Sequence, residues 1–483
     1  MPSLFKGMIH RNIVPFCIIF LLHGTGAFTQ NLPSRIFKVG VATSNITPKI
    51  GTSINGNFQD ASTQNIHDET HARSIVLDDG QQRLALVVAD LCMVSREVLD
   101  AAKHRAHQFT SIPVANMMMS ATHTHSGGTA CSVFQSDPDA EYLKFLTERI
   151  ADAVIRANAH LTPARIGWGV GHEPNQVFNR RWKMKAGTKL TNPFGKQDQV
   201  KMNPGIGNPD LGAPAGPTDP ELPIVAIQTL DGKPLAILAN YSLHYVGGTK
   251  PNEISADYYG LFAKKLTKLL GADEESSEFL AIMSNGTSGN INNIDFGGSA
   301  PQPMLPYEKM NVVATALATE ACKVYQQIQY QDWVSLGSAQ KELYLGVRKP
   351  TQDELLLAKE IVAKAPGAVM HTVEELYARE TLLMRQVPLI IQAFRIGELA
   401  IAAVPCEVFV EIGLDLKKRS PFKPTFTISL ANGYNGYLPT PEQHALGGYE
   451  TWRARSSYLE THASTQITSV LFELFNALKS NVP

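Results

Sequence analysis

Two histidines, His123 and His125, stand two residues apart in Ala121-Thr122-His123-Thr124-His125-Ser126-Gly127-Gly128, directly after the apolar run 114–119. That run reads as a buried strand, and residues two apart on a strand share a face, so both imidazoles emerge side by side at its end. Paired imidazoles followed by glycines that leave room for a ligand suit a catalytic metal. A pair of hydrogen-bonded structural histidines is the other reading the pair alone allows. A second apolar strand, 235–241, also runs into a histidine followed by glycines, in Ser242-Leu243-His244-Tyr245-Val246-Gly247-Gly248. A third, 399–404, ends in Pro405-Cys406-Glu407, with Glu407 expected to open a helix over 407–418. A carboxylate there either complements the helix dipole or supplies a hard oxygen ligand. The tight loop Asn432-Gly433-Tyr434-Asn435-Gly436-Tyr437-Leu438-Pro439-Thr440 follows the strand 425–430. Two histidines, one glutamate and a fourth position open to solvent or phenolate match a catalytic rather than a structural zinc environment.

The elements that must position these residues alternate between strand and helix. Strands are expected at 37–42, 74–77, 84–89, 114–119 and 165–170, and helices at 96–108, 139–159, 258–270, 312–327 and 457–478. Segments 224–230 and 235–241 read as a hairpin turned by Asp231-Gly232. This alternation predicts an α/β fold with mixed sheets, flanking helices, and the metal ligands at strand ends within one large catalytic domain, 31–483. Residues 183–220 are rich in Gly, Pro, Asn and Lys and read as a long surface loop near the active site. Residues 351–385 read as a charged helical insertion.

Lys6 and Arg11 precede the apolar stretch 13–22 and the small residues Gly24-Thr25-Gly26-Ala27. That order predicts a cleaved secretory signal peptide over 1–30, and with it a secreted or periplasmic protein. The apolar core is shorter than the roughly 20 residues a span needs, and no later segment reads as transmembrane. A net charge of -1 gives no general attraction to nucleic acid or to an anionic membrane. Cys92, Cys131, Cys322 and Cys406 are scattered without a CxxC, so neither a thiolate zinc site nor a dense disulfide framework is indicated.

Thr122-His123-Thr124-His125-Ser126-Gly127-Gly128, the AxxxxxxxH ending at His244, Val404-Pro405-Cys406-Glu407 and the 432–440 loop resemble, in order, the neutral/alkaline ceramidase family. Ile66-His67, Asn179-Arg180 and Ser255-Ala256-Asp257 fall in matching order, so the resemblance covers nearly all of the chain after residue 39. It implies a zinc enzyme that cleaves the amide of ceramide, a lipid substrate, into sphingosine and a fatty acid. It implies His123, His244, Glu407 and Tyr437 as the metal ligands, and His125 as an acid/base group beside the metal. Arg180 would bind in the catalytic region, and Tyr434 would line the same loop. Two features depart from the family. Asn292 stands where the family segment NxGDVSPN has a catalytically important serine, with Ser288 nearby but out of register. The sequence also ends soon after the last expected helix, so the family's C-terminal β-sandwich is expected to be missing.

Zinc lowers the pKa of bound water to near 7, so amide hydrolysis needs no serine nucleophile. The expected mechanism is attack by zinc-bound water, proton delivery to the leaving amine by His125, and charge stabilisation by Arg180, Tyr437 and the Asn292 amide. Asp90 and Asp257 are candidates for orienting the histidines, or for plain capping and turn formation. Two other readings stand beside this one. If Arg180-Arg181-Trp182-Lys183-Met184-Lys185 faces the site, a metal-dependent hydrolase or lyase on a polar anionic molecule such as a carbohydrate is favoured. A paralogue that binds without catalysis is the third.

Overall fold

The structure, a computed structural model, describes residues 35–272, 279–299, 302–383 and 388–480. The expected signal peptide over 1–30 lies outside the described residues. Eight strands form one mixed sheet: β1 (Lys38–Asn45), β2 (His71–Asp78), β3 (Arg83–Ala89), β4 (Met117–Ala121), β5 (Thr162–His172), β6 (Glu221–Thr229), β7 (Pro234–Tyr241) and β8 (Leu280–Asn285). Their order is β8-β7-β6-β5-β1-β2-β3-β4. Only the two outermost pairs, β3 with β4 and β7 with β8, are parallel. The reason is connectivity. Each parallel pair is joined through a helix, α1 (Arg96–Thr110) for the first and α3 (Asp257–Leu269) for the second, with α2 (Ala140–Ala159) between them in sequence.

A second sheet is built from β9 (Leu336–Leu343), β10 (Leu389–Ile396), β11 (Leu399–Ala403) and, after the two-residue β12 (Glu407–Val408), β13 (Thr425–Ile428). Here β11 and β13 are the parallel pair. Period-two burial assigns the faces. Leu84, Leu86 and Val88 of β3 pack between the sheets against Phe394 and Ile396 of β10 and Phe426 of β13. Ala85, Val87 and Ala89 point the other way, onto Val98, Leu99 and Ala102 of α1 and Leu146 and Ile150 of α2. Phe262 of α3 and Leu317 of α4 (Glu308–Tyr325) cover Ile237 and Ala239 of β7. The insertion is helical as expected, with α5 (Gln352–Lys364) and α6 (Val373–Leu383). On the outer face of the second sheet lie α7 (Val410–Arg419) and, beyond the short α8 (Pro441–Leu446), α9 (Ala463–Ser480). The architecture is therefore helix, sheet, sheet, helix, an α/β fold of mixed sheets with flanking helices. No helix among the described residues is long and apolar enough to cross a membrane.

Four local expectations are corrected. The 114–119 run opens as a short 3-10 turn, Val114–Asn116, where the Asn116 amide bonds the Arg83 carbonyl; the strand is Met117–Ala121. Glu407 does not open a helix. Its backbone N–H donates to Gly436 O and its strand pairs with 437–438, so α7 begins only at Val410. Residues 457–459 are extended, held by Arg348 donating to the Ser457 and Leu459 carbonyls, and α9 starts at Ala463. Within 183–220 the chain is not structureless: Arg181–Met184 pairs with Val200–Met202 on one side and Leu211–Pro214 on the other.

Candidate metal centre

Each of the three parallel strand pairs in the two large sheets contributes one side chain to a single cluster. His123 follows β4, His244 follows β7, and Glu407 follows β11. The β4 and β8 edges lie at opposite ends of the first sheet, yet one segment of the second bridges them. Ala121 N donates to Leu430 O at 3.3 Å, and Ser429 N donates to Asn285 O at 3.0 Å. The Asn240 side chain on β7 donates to Thr427 O at 3.1 Å. The carboxyl ends of the three pairs are thereby drawn to one point, where open α/β sheets place their ligands.

His123 and His125 are side by side, though not by strand alternation. The strand stops at Ala121, and His123 takes a left-handed backbone with φ 78°. That conformation costs on the order of 1–3 kcal/mol for a residue with a Cβ and persists only where its surroundings impose it. Here His123 N donates to Leu91 O at 2.9 Å.

His123 Nδ1 lies 2.8 Å from Cys92 O, and His244 Nδ1 lies 3.1 Å from Ser288 O. A carbonyl only accepts, so each Nδ1 carries a proton and, in the neutral ring, each Nε2 keeps its lone pair. The two Nε2 atoms are 3.1 Å apart. Glu407 Oε2 is 3.3 Å from that of His123 and 3.9 Å from that of His244. All three side chains are buried, and Glu407 Oε2 has no hydrogen-bond partner. Three electron pairs converging in a dry site need positive charge at their centre. In the metal-free chain a second proton on His123 provides it: burial opposes that charge, but Cys92 and Glu407 raise the imidazole to about 10. A divalent ion satisfies all three atoms at once, and the donor set of two imidazoles and a carboxylate fits zinc. Carbonyl-anchored Nδ1 groups are the usual support of metal-binding histidines. Burial and the Arg180 charge hold His244 well below its ordinary value, in the neutral form a metal requires.

Glu407 and Tyr437 are register partners in the parallel pairing of β12 with β14 (Tyr437–Leu438), so their side chains project together. Tyr434 donates to the other Glu407 oxygen, Oε1, at 3.0 Å, which aims Oε2 at the cluster. Burial pushes the Glu407 carboxyl up, but His123 and Arg180 bring it below its usual range. Arg180 Nη2 donates to Tyr437 Oη at 3.1 Å, and Nε to Glu450 Oε1 at 3.0 Å. Arg181 Nη1 donates to Glu450 Oε2 at 2.6 Å, with both side chains at 0% exposure. One carboxylate thus serves two buried guanidinium groups. Glu450→Gln is expected to cost about 3–5 kcal/mol in chemical denaturation, because both charges lose their partner.

His125 Nε2 lies 3.4 Å from His123 Nε2, and its ring stacks on Tyr245 at 3.6 Å between centroids. Gly56 (φ 118°) abuts that ring, where a Cβ would meet it at 2.5 Å. Burial, then His123 and Arg180, hold His125 well below its ordinary value. Asn55, Met93, Val133, Phe134, Tyr437 and Tyr449 help wall a cavity of about 20 Å³ over the cluster, roughly the space of one water. The walls are narrow and largely apolar.

The structure thus brings His123, His125, His244, Glu407, Tyr434, Tyr437 and Arg180 together, and leaves other candidates elsewhere. Asn292 donates to Asn203 Oδ1 at 2.8 Å and accepts from Ile294 N at 3.0 Å, and it is absent from the cavity wall. Asp90 is paired with Arg73 at 2.6 Å. Asp257 accepts from Val246 N and Gly247 N, so it shapes the loop after His244 without touching an imidazole. The carbonyls of Cys92 and Ser288 do the orienting instead, and no side-chain pattern announces a carbonyl. Tyr245, Tyr449 and Glu450 also escaped the sequence reading. Tyr245 adjoins His244 and was within reach of it; the other two sit in a segment with no metal-ligand spacing.

Residues 37–300 match the family described as neutral/alkaline non-lysosomal ceramidase, N-terminal. Two solved structures share the fold. The neutral ceramidase from Pseudomonas aeruginosa is 19% identical with a TM-score of 0.70, over 93% of this chain and 75% of that one. A ceramidase complexed with C2 is 18% identical with a TM-score of 0.71, over 93% and 76% of the respective chains.

Proposed function

Because the chain belongs to the neutral/alkaline non-lysosomal ceramidase family, we propose that it is a secreted, zinc-dependent amidohydrolase cleaving the N-acyl amide of ceramide or a ceramide-like lipid. The observation that carries this reading is the convergence of His123 Nε2, His244 Nε2 and Glu407 Oε2, three acceptors with no proton donor among them when the imidazoles are neutral and the carboxylate is ionised. These residues, with Tyr437, would hold the ion. When bound, zinc supplies a Lewis acid that lowers the pKa of water and polarises a carbonyl. His125, neutral and beside the cluster, takes the proton from water and returns it to the leaving amine. The Tyr437 hydroxyl lines the cavity and accepts from Arg180, so the pair would stabilise negative charge developing on the amide oxygen. The Asn292 amide is engaged by Asn203, so this work falls to Arg180 and Tyr437. Secretion rests on the signal-like sequence of residues 1–30.

The character of the cavity favours a lipid amide over a polar anion. The anionic reading needs free cations at the site, and Arg180 and Arg181 are both committed to Glu450. Phe134, Tyr434 and Tyr449 give the small cavity beside the cluster aromatic walls. Release of labelled fatty acid from an N-acylsphingosine tests the reading, with anionic oligosaccharides as the competing substrates. Turnover of the sugars alone would replace it.

Tyr434→Phe gives a narrower check. Losing the hydroxyl that holds Glu407 Oε1 is expected to weaken zinc binding about 10–100-fold in a chelator competition, with the fold intact.

A further inference from the structure

Lys103 is a buried cation that the chemistry above does not use. It sits on the inner face of α1 at 2% exposure, among Val98, Leu99, Ala102 and Ala106. Its ammonium donates to Asn432 Oδ1 at 2.7 Å, and no described carboxylate is bonded to it. Asn432 is a junction. Its N–H donates to Met119 O of β4 at 2.7 Å, and its Nδ2 donates to Gln392 Oε1 of β10 at 2.8 Å. Its backbone is left-handed, φ 66°, followed by Gly433 at φ 142°. Two residues on, Tyr434 reaches Glu407.

We propose that Lys103 is a positioning residue for the metal centre: through Asn432 its ammonium fixes the left-handed turn that delivers Tyr434 to Glu407. The role rests on the reading of Glu407 as a metal ligand, but the turn itself can be tested without metal or substrate. A charge-assisted hydrogen bond is about twice as strong as a neutral one, which suits a clamp on a strained residue. Burial lowers Lys103 to about 8, with Asp100 opposing and Arg96 adding to the effect. Those two charges are on α1, and Glu342 of β9 pairs with Arg96 at 2.7 Å. The other contacts of the clamp, from β4 and β10, are the uncharged Met119 and Gln392. Deprotonation as pH rises through this region therefore weakens the clamp, and Tyr434 reports it.

The test uses full-length, metal-free protein carrying 13Cζ-labelled tyrosine, with the Tyr434 resonance assigned from Tyr434→Phe. The Tyr434 signal is expected to titrate with a midpoint near 8, and Lys103→Met to abolish that titration. Asn432→Gly tolerates the left-handed turn and removes only the side-chain link, so it gives the same loss should Lys103→Met fail to fold. In chelator competition Lys103→Met is expected to weaken zinc binding about tenfold, as loss of an outer support does. A Tyr434 signal with no step near 8 in the wild type, or one that keeps that step in either variant, overturns the proposal. Absence of ceramide turnover would count against the proposed function and leave this result standing.

Discussion

His123→Ala and His244→Ala are each expected to lose zinc and amide hydrolysis together. The two Nε2 atoms face each other at 3.1 Å, so removing either imidazole takes away one of the two nitrogen donors of the proposed four-residue set. What remains is one imidazole, Glu407 and the Tyr437 phenol, which burial keeps protonated and therefore a weak donor, too poor a set to keep a divalent ion in a catalytic site. Turnover should fall by about 10³-fold or more, equivalent to roughly 4 kcal/mol of transition-state stabilisation or greater. Removing His123 should carry a second effect. Its left-handed backbone is unfavourable for any residue with a Cβ, and the Nδ1 bond to Cys92 O that helps offset this disappears. His123→Ala is therefore expected to melt below His244→Ala. Metal content by mass spectrometry, turnover and thermal unfolding of the two purified variants separate these effects.

His125→Ala is expected to behave differently: zinc content near that of the wild type, turnover down about 10²–10⁴-fold. The difference comes from where the imidazoles point. His125 stands beside His123 at 3.4 Å and is held by stacking on Tyr245 and by the close approach of Gly56. It contributes no atom to the group formed by His123, His244 and Glu407. A His125→Ala protein that loses its metal as His123→Ala does would exchange the roles assigned here. A variant with unchanged turnover would remove His125 from the proton path.

The candidate ligands His123, His244 and Glu407 were legible because each follows an apolar strand, and a strand end followed by glycines has few structural uses for histidine; Tyr437 came only through the family resemblance. What sequence could not supply was the closure. His123 and Glu407 belong to different sheets, and the segment bridging β4 to β8 is recognisable only from hydrogen bonds between remote backbones. Glu407 shows the limit of local propensity. The apolar, charged run after it has helical periodicity, yet pairing with Tyr437 keeps it extended and sets the two side chains together. The run at 183–220 failed for a related reason: its Gly and Pro content reads as loop, while its short strands are fixed by pairing across more than a dozen residues. Nothing local in the basic run announces that Arg180 and Arg181 are buried as a pair; Glu450, some 270 residues on, is what allows it.

The central claim is that one zinc ion per chain, held by His123, His244 and Glu407, drives cleavage of ceramide's amide. Its most direct test is zinc stoichiometry followed alongside fatty-acid release from labelled ceramide, through chelation and metal return. The account predicts one ion per chain, hydrolysis that stops on its removal and hydrolysis that resumes when zinc is restored. Chain-bound zinc with intact ceramide, or undiminished hydrolysis by metal-free protein, would contradict it.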